Sequence, residues 1–257
     1  MEFAYKKSLG QNFIYDVGFL RALVKKLNVQ PTDVVVEVGA GAGTLTQALA
    51  ETGCQVHSVE IDQRLQAVLN QRLQSYQNVQ LVFADALKHD FSHLPPFRLI
   101  ANVPYYITTP LIMQFLALPN CRELNVLVAD EVAERIVAPS GTALYGALSV
   151  SCQLQAECKI LAAVPRTLFT PQPKIDSAFV CMKKNGQPTD VELGKLLKGI
   201  FAARRKTMLN ALSGALNLDK TVTAQILDAA GIDPTLRPEQ ITPTEYAKIS
   251  AISRKFC

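Results

Sequence analysis

Two rhythms of apolar and polar positions alternate along most of this chain. Short segments dominated by apolar residues, many of them β-branched, occur at Val34–Val38, Gln55–Glu60, Val79–Phe83, Leu99–Ala101 and Leu124–Ala129. That pattern predicts strands buried on both faces, as in a parallel sheet. Between them, apolar residues recur every three to four positions, which predicts helices near Thr44–Glu51, Gln63–Leu73 and Thr109–Leu118. Asp16 is placed to cap an earlier helix running from Val17 to about Leu27. Repeated strand–helix alternation predicts an α/β fold, a mostly parallel, doubly wound sheet with helices on both faces.

After Glu131 the alternation stops. Ala138-Pro139-Ser140-Gly141 reads as a loop, and Lys159–Val164 and Ser177–Met182 read as two more strands. They flank Pro165-Arg166-Thr167-Leu168-Phe169-Thr170-Pro171-Gln172-Pro173, whose prolines forbid a helix or a central strand and predict a rigid connection. Asn185-Gly186-Gln187-Pro188 reads as a linker. Four helical patterns follow, near 190–203, 207–215, 221–230 and 243–252, with no further strand signal. The expected organisation is a sheet domain over 1–184, with a basic arm at 1–30, and a small all-helical domain over 185–257.

Composition narrows the class. The chain is 49% hydrophobic and 19% charged, has no Trp, and contains no apolar run approaching the ~20 residues of a membrane span. Its start lacks a signal-peptide core, and its six cysteines show no CxxC spacing, so a cytoplasmic protein with reduced thiols and no metal is expected. Net charge is +4, but it is unevenly distributed. Residues 1–30 carry five Lys/Arg against two acids, 31–182 nine against thirteen, and 183–257 twelve against seven. A slightly acidic body between two basic ends suits a polyanionic partner.

The candidate chemistry begins at Gly39-Ala40-Gly41-Ala42-Gly43, directly after the first predicted strand of the sheet. Glycines there permit a sharp turn and close approach of backbone to a ligand at the strand's carboxyl end. Glu60, at the tip of the next strand, is an acceptor for both hydroxyls of a ribose. A dinucleotide loop would carry its third glycine at position 44, which is Thr44 here. The spacing therefore favours S-adenosylmethionine over NAD. Asp85, at the tip of the third strand, suits the exocyclic amine of the cofactor's adenine; capping of the following turn is the competing reading.

Asn102-Val103-Pro104-Tyr105 follows another strand, on the same rim. An exocyclic amine of adenine is a poor nucleophile because its lone pair is delocalised into the ring. The Asn102 oxygen and a backbone carbonyl fixed by Pro104 would accept its two N–H bonds and direct the lone pair at a methyl group. Tyr105 offers a ring face on which the base stacks, and Phe169, between Pro165 and Pro171, is the candidate opposite jaw. The adjacent Arg204, Arg205 and Lys206 fan out if helical, and with Lys6 and Lys7 they are candidates for nucleic-acid phosphate.

These segments together resemble the KsgA/RsmA family of small-subunit ribosomal RNA adenine dimethyltransferases, with the Erm enzymes as nearest relatives. The resemblance runs nearly end to end, through Lys7–Phe13, Glu37–Gly43, Val59–Asp62, Asp85–Leu87, Asn102–Ile107, Phe169–Ala178 and Phe201–Thr207. It implies a Rossmann-like methyltransferase sheet with S-adenosylmethionine held by Asn12, Ile14, Gly39, Gly41, Glu60, Asp85 and Asn102. It implies adenine received by Asn102, Pro104 and Tyr105 with Phe169 opposite, and as substrate two adjacent adenines in a hairpin loop near the 3′ end of 16S rRNA. Ile14 and Val103 stand where the family commonly has Leu, and Ala40 where it commonly has Pro. The expected partner is 16S rRNA in the small ribosomal subunit or its precursor, met by a monomer. Two alternatives stay open: an Erm-type enzyme acting on 23S rRNA, and a non-catalytic ribosome-assembly factor.

Overall fold

The computed structural model describes residues 10–256. Its main sheet has seven strands: β2 (Val34–Val38), β3 (Gln55–Glu60), β4 (Val79–Phe83), β5 (Phe97–Ala101), β6 (Cys121–Ala129), β7 (Ala156–Val164) and β9 (Ser177–Lys184), in the order β4-β3-β2-β5-β6-β9-β7. The pairs β4–β3, β3–β2, β2–β5 and β5–β6 are parallel, and β9 runs antiparallel to β6, with Ala129 opposite Ser177 and Glu123 opposite Lys183. Consecutive residues of a strand face opposite sides of a sheet, and Val35 and Val36 are both fully buried. The centre of the sheet is therefore covered on both faces, which is why its strands read as plain apolar runs. The architecture is a doubly wound, Rossmann-like α/β fold with a helical C-terminal region.

Strand order reverses at β2 and β5, whose carboxyl ends carry the glycine loop and Asn102. Such a switch point is where an open α/β sheet leaves a crevice. Around the sheet lie α1 (Val17–Lys26), α2 (Thr44–Ala50), α3 (Gln66–Leu73) and α4 (Tyr105–Ala117). Asp16 caps α1, accepting the Phe19 N–H at 2.9 Å, and Leu20, Leu23 and Val24 bury one face of the helix in a core shared with Val35, Val56, Ile100, Leu127 and Phe179. A two-residue strand β1 (Phe13–Ile14) pairs antiparallel with β8 (Phe169–Thr170) and ties the arm to the proline-braced segment. Arg98 is a second tie. It donates to the carbonyls of Leu27 and Asn28 and pairs with Asp33 and Glu123.

The structure differs from the sequence reading in three places. Helix α4 starts at Tyr105, four residues before the predicted start, with Pro104 as its cap and Pro110 inside it. The fixed φ of Pro104 is already helix-compatible, so the first turn forms at the end of the Asn-Val-Pro segment. Two further helices, α5 (Asp130–Val137) and α6 (Ala147–Gln155), occupy the stretch where the alternation stops. Finally, the chain divides into two compact units, residues 1–133 with 159–184, and 134–158 with 185–257. Residues 134–158, expected within the sheet domain, belong to the helical unit.

That unit is built from α7 (Val191–Ala202), α8 (Met208–Leu216), α9 (Lys220–Ala230) and α10 (Pro243–Ser253) around its own core. Tyr145 and Val150 enter this core, and the Tyr145 hydroxyl donates to the Ile241 carbonyl at 2.9 Å. Gly199 of α7 faces α8 so closely that a Cβ there would lie 2.9 Å from the Ala215 Cβ. Only glycine allows the two helices this approach.

Candidate active site

The crevice encloses about 280 Å³ between the ends of β2, β3 and β5. Gly39, Gly41 and Gly43 all have positive φ. Gly39 shows why the loop tolerates no side chain there, since a Cβ would sit 2.9 Å from the Asn102 carbonyl oxygen. The two segments that define the crevice thus touch through backbone.

Glu60 braces the loop. It is 6% exposed, and its two oxygens accept the Gly41 and Asp62 backbone N–H groups, each at 2.8 Å. Burial raises its pKa, and those two hydrogen bonds act against the rise. Each carboxylate oxygen has a second lone pair, so both can still accept from a diol. The acid expected to bind ribose is also what holds the glycine loop in shape.

Beneath this loop lies a group that the sequence reading did not single out. Glu37 is fully buried in β2; one oxygen accepts the Thr46 and Ser58 hydroxyls, each at 2.6 Å, and the other has no partner among the described residues. Burial pushes its carboxyl up to about 7, with the neighbouring Glu60 adding to the rise. A lone acid inside a valine-rich strand was the available sequence signal.

Asp85 lines the crevice and also caps the following turn, accepting the Leu87 N–H at 3.0 Å. The capping reading therefore holds, and its other oxygen stands 3.7 Å from the Lys88 ammonium. The arm forms another wall. Asn12 donates to the Gly10 carbonyl at 3.1 Å, and the Ile14 carbonyl accepts the Thr44 hydroxyl at 2.6 Å. Gln11 reaches Asp62 at 2.8 Å; with Arg64 on the same carboxylate, Asp62 is held down at about 2. Neither Gln11 nor Asp62 was picked out as a site residue.

Asn102, Pro104, Tyr105 and Phe169 all line the same crevice. The Asn102 amide has no hydrogen-bond partner among the described residues, although it is half-buried. The Pro104 carbonyl is already used by the first turn of α4, accepting the Ile107 N–H at 3.1 Å and the Thr108 hydroxyl at 3.3 Å. The Val103 carbonyl has no partner among the described residues. The Tyr105 hydroxyl is 2.7 Å from the hydroxyl of the buried Ser177, a partner the sequence reading did not single out. Phe169 is 4% exposed and packs into the core as well as lining the crevice.

The basic candidates lie elsewhere. Arg204, Arg205 and Lys206 occupy a turn between α7 and α8, in the gap left between the helical patterns expected at 190–203 and 207–215. Arg204 serves its own unit, donating to the Thr142 carbonyl and pairing with Glu239. Arg205 and Lys206 are exposed. Lys6 and Lys7 lie outside the described residues.

A family model described as ribosomal RNA adenine dimethylase matches residues 2–254. Curated relatives named ribosomal RNA small subunit methyltransferase A include one from Alkaliphilus metalliredigens, 41% identical over 97% of this chain and 92% of its own. Another, from Enterococcus faecalis, is 39% identical over 96% of this chain and 90% of its own. Among solved structures, a dimethyladenosine transferase from Plasmodium falciparum aligns with a TM-score of 0.84 at 23% identity, over 95% of this chain and 98% of that one. The 23S rRNA methyltransferase ErmE aligns with a TM-score of 0.71 at 24% identity, over 94% of this chain and 99% of that one. At those identities the two structures bear on fold alone.

Proposed function

The chain belongs to the ribosomal RNA adenine dimethylase family, and from that membership and the crevice we propose that it dimethylates N6 of two adjacent adenines in a hairpin loop near the 3′ end of 16S rRNA. It is an S-adenosylmethionine-dependent rRNA methyltransferase. The residues fit that cofactor, because the Glu60 oxygens keep free lone pairs beside a glycine loop packed against Asn102. When bound, the cofactor supplies an electrophilic methyl group. In this reading Glu60 takes the ribose hydroxyls, Asp85 the exocyclic amine of the cofactor's adenine, and the arm at Asn12 and Ile14 closes one side.

The observation that carries the mechanism is the unpartnered Asn102 amide at the rim of the sheet. Its oxygen accepts one N6–H of the target adenine. The second acceptor is the Val103 carbonyl, because the Pro104 carbonyl is occupied within α4 and the proline ring fixes the peptide before it. Two acceptors in place strip the amine of conjugation with the ring and point its lone pair at the methyl carbon. Transfer would break the methyl–sulfur bond, leaving the cofactor's sulfur neutral and the nitrogen cationic, and the face of Tyr105 would stabilise that charge until a proton is lost to solvent. No general base is required. After one round a single N6–H remains, and the same acceptors hold it for the second.

The protein works on the small ribosomal subunit or its precursor, as a monomer in the cytoplasm. Among the described residues no helix is long and apolar enough to cross a membrane. Incubating unmethylated ribosomal subunits with labelled cofactor and digesting the RNA for mass spectrometry tests the reading. Dimethyladenosine in small-subunit RNA is expected, with transfer slowed in a folded Asn102→Ala variant while subunit binding persists. Label in large-subunit RNA would indicate an Erm-type enzyme, and no label at all an assembly factor.

A further inference from the structure

Four aromatic residues line the crevice: Phe13, Tyr105, Tyr106 and Phe169. Three are at least half-buried, whereas Tyr106 is 64% exposed. The contrast follows from the first turn of α4, where successive side chains point about 100° apart. Tyr105 turns inward and its hydroxyl meets the buried Ser177, so its neighbour turns out towards the lip of the crevice. The arm passes close to the Tyr106 ring, since a Cβ on Gly10 would lie 3.5 Å from the ring's Cε1 and 3.0 Å from the Pro104 Cβ. The ring would thus meet such a Cβ at ordinary contact distance, and it is Pro104 that a side chain at position 10 would crowd. The ring's large apolar area stays in water beside a cavity shaped for a base.

We propose that Tyr106 is a stacking platform for the nucleotide next to the target adenine. An adenine that is drawn into the crevice abandons its neighbour, whose face then loses its stacking partner. A ring fixed at the lip, one residue along the helix from the ring that receives the target, replaces that partner. Stacking on an aromatic face tolerates any base and is strongest for purines, so the ligand class is a flanking nucleobase of single-stranded RNA. The inference rests on the proposed RNA substrate; if the target is one of two adjacent adenines, the base on Tyr106 is the other. Tyr106 selects for an unstacked pair and takes no part in the transfer itself.

The test compares Tyr106→Ala, Tyr106→Phe and wild type on unmethylated small subunits. Single-turnover methylation gives the half-saturating subunit concentration and the limiting rate. Co-sedimentation of enzyme with subunits gives affinity without chemistry, and calorimetry gives cofactor affinity. For Tyr106→Ala the half-saturating concentration and the subunit dissociation constant should both rise about tenfold or more, with cofactor affinity and limiting rate unchanged. Tyr106→Phe should stay close to wild type. Wild-type subunit affinity in the alanine variant would overturn the proposal, and so would a loss of cofactor affinity, which would make the ring a cover for the cofactor. A phenylalanine variant as weak as alanine would overturn it by assigning the contact to the hydroxyl. If the wild type transfers no methyl, the proposed activity falls, while co-sedimentation still decides the role of Tyr106.

Discussion

Glu37 and Glu60 stand on neighbouring strands, and burial raises both carboxyls for different ends. Glu60 is balanced by two backbone N–H groups, whereas Glu37 has only hydroxyls on one oxygen and nothing described on the other. With its folded pKa pushed from 4.5 up to about 7, Glu37 holds a proton that the unfolded chain releases between those values. Its contribution to stability is therefore fully present below about 4.5 and lost as pH rises through about 7. Relative to a Glu37→Gln variant, wild-type unfolding free energy should fall across that window, by at most about 1.4 kcal/mol per pH unit. Parallel curves from denaturant titrations at each pH would mean that Glu37 titrates normally. For Glu60, replacement by Ala should weaken S-adenosylmethionine binding by about 2–3 kcal/mol, the scale of hydrogen bonds to a charged group. Calorimetry on a folded variant with unchanged affinity would remove Glu60 from the cofactor site. At Tyr105 the roles of ring and hydroxyl separate. Tyr105→Phe should keep much of the transfer rate because the stacking face stays, and Ser177→Ala should match it because both break one contact; a dead Tyr105→Phe in single-turnover assays would assign the chemistry to the hydroxyl.

Among the elements, the central strands and the crevice-lining turn after β5 were legible for the same reason. A strand covered on both faces must be apolar throughout, and a crevice at a switch point must be lined by strand ends. Helix α4 was misplaced because Pro110 resembles a first-turn proline, while the residue that starts the helix is Pro104. Helix α6 was missed because the core it buries into is supplied mainly by α7 to α10, which begin 36 residues after it ends. The partners of Tyr105 and Glu60 were illegible too, since Ser177 and the Gly41 N–H meet them only through sheet pairing and loop closure. One long-range contact of this kind secures α4 itself. The Lys184 ammonium on β9 donates to the Leu116 and Leu118 carbonyls, at 2.6 and 2.8 Å, where the helix ends. The Leu118 carbonyl also accepts the Cys121 N–H at 3.2 Å, and a cation suits the negative end of the helix dipole. Lys184→Ala should lower stability by about 1 kcal/mol, read as a shifted denaturant midpoint at constant slope. An unchanged midpoint would mean that water caps the helix equally well.

At the scale of the whole molecule, charge is unevenly distributed along the sequence. The segment 183–257 carries twelve Lys/Arg against seven acids, while 31–182 carries nine against thirteen. Sequence alone shows that asymmetry but cannot say which cations are occupied. Asp190 pairs with Arg254, Glu192 with Lys195, and Glu239 with Arg204. Arg204 is thus a structural member of its turn, tied also to the Thr142 carbonyl, and Arg205 and Lys206 are the exposed members of the triplet. Neutralising all three would therefore mix two effects. Arg205→Gln with Lys206→Gln should leave stability and cofactor affinity unchanged, weaken binding to small ribosomal subunits, and flatten the salt dependence of that binding by up to about 2 units of slope. Arg204→Gln should instead lower the stability of the helical unit, with little effect on the slope. Binding titrations of the variants across a salt series separate the two outcomes. An unchanged slope in the Arg205/Lys206 double variant would make the exposed pair a solvated surface and move the phosphate contacts to other cations of the chain.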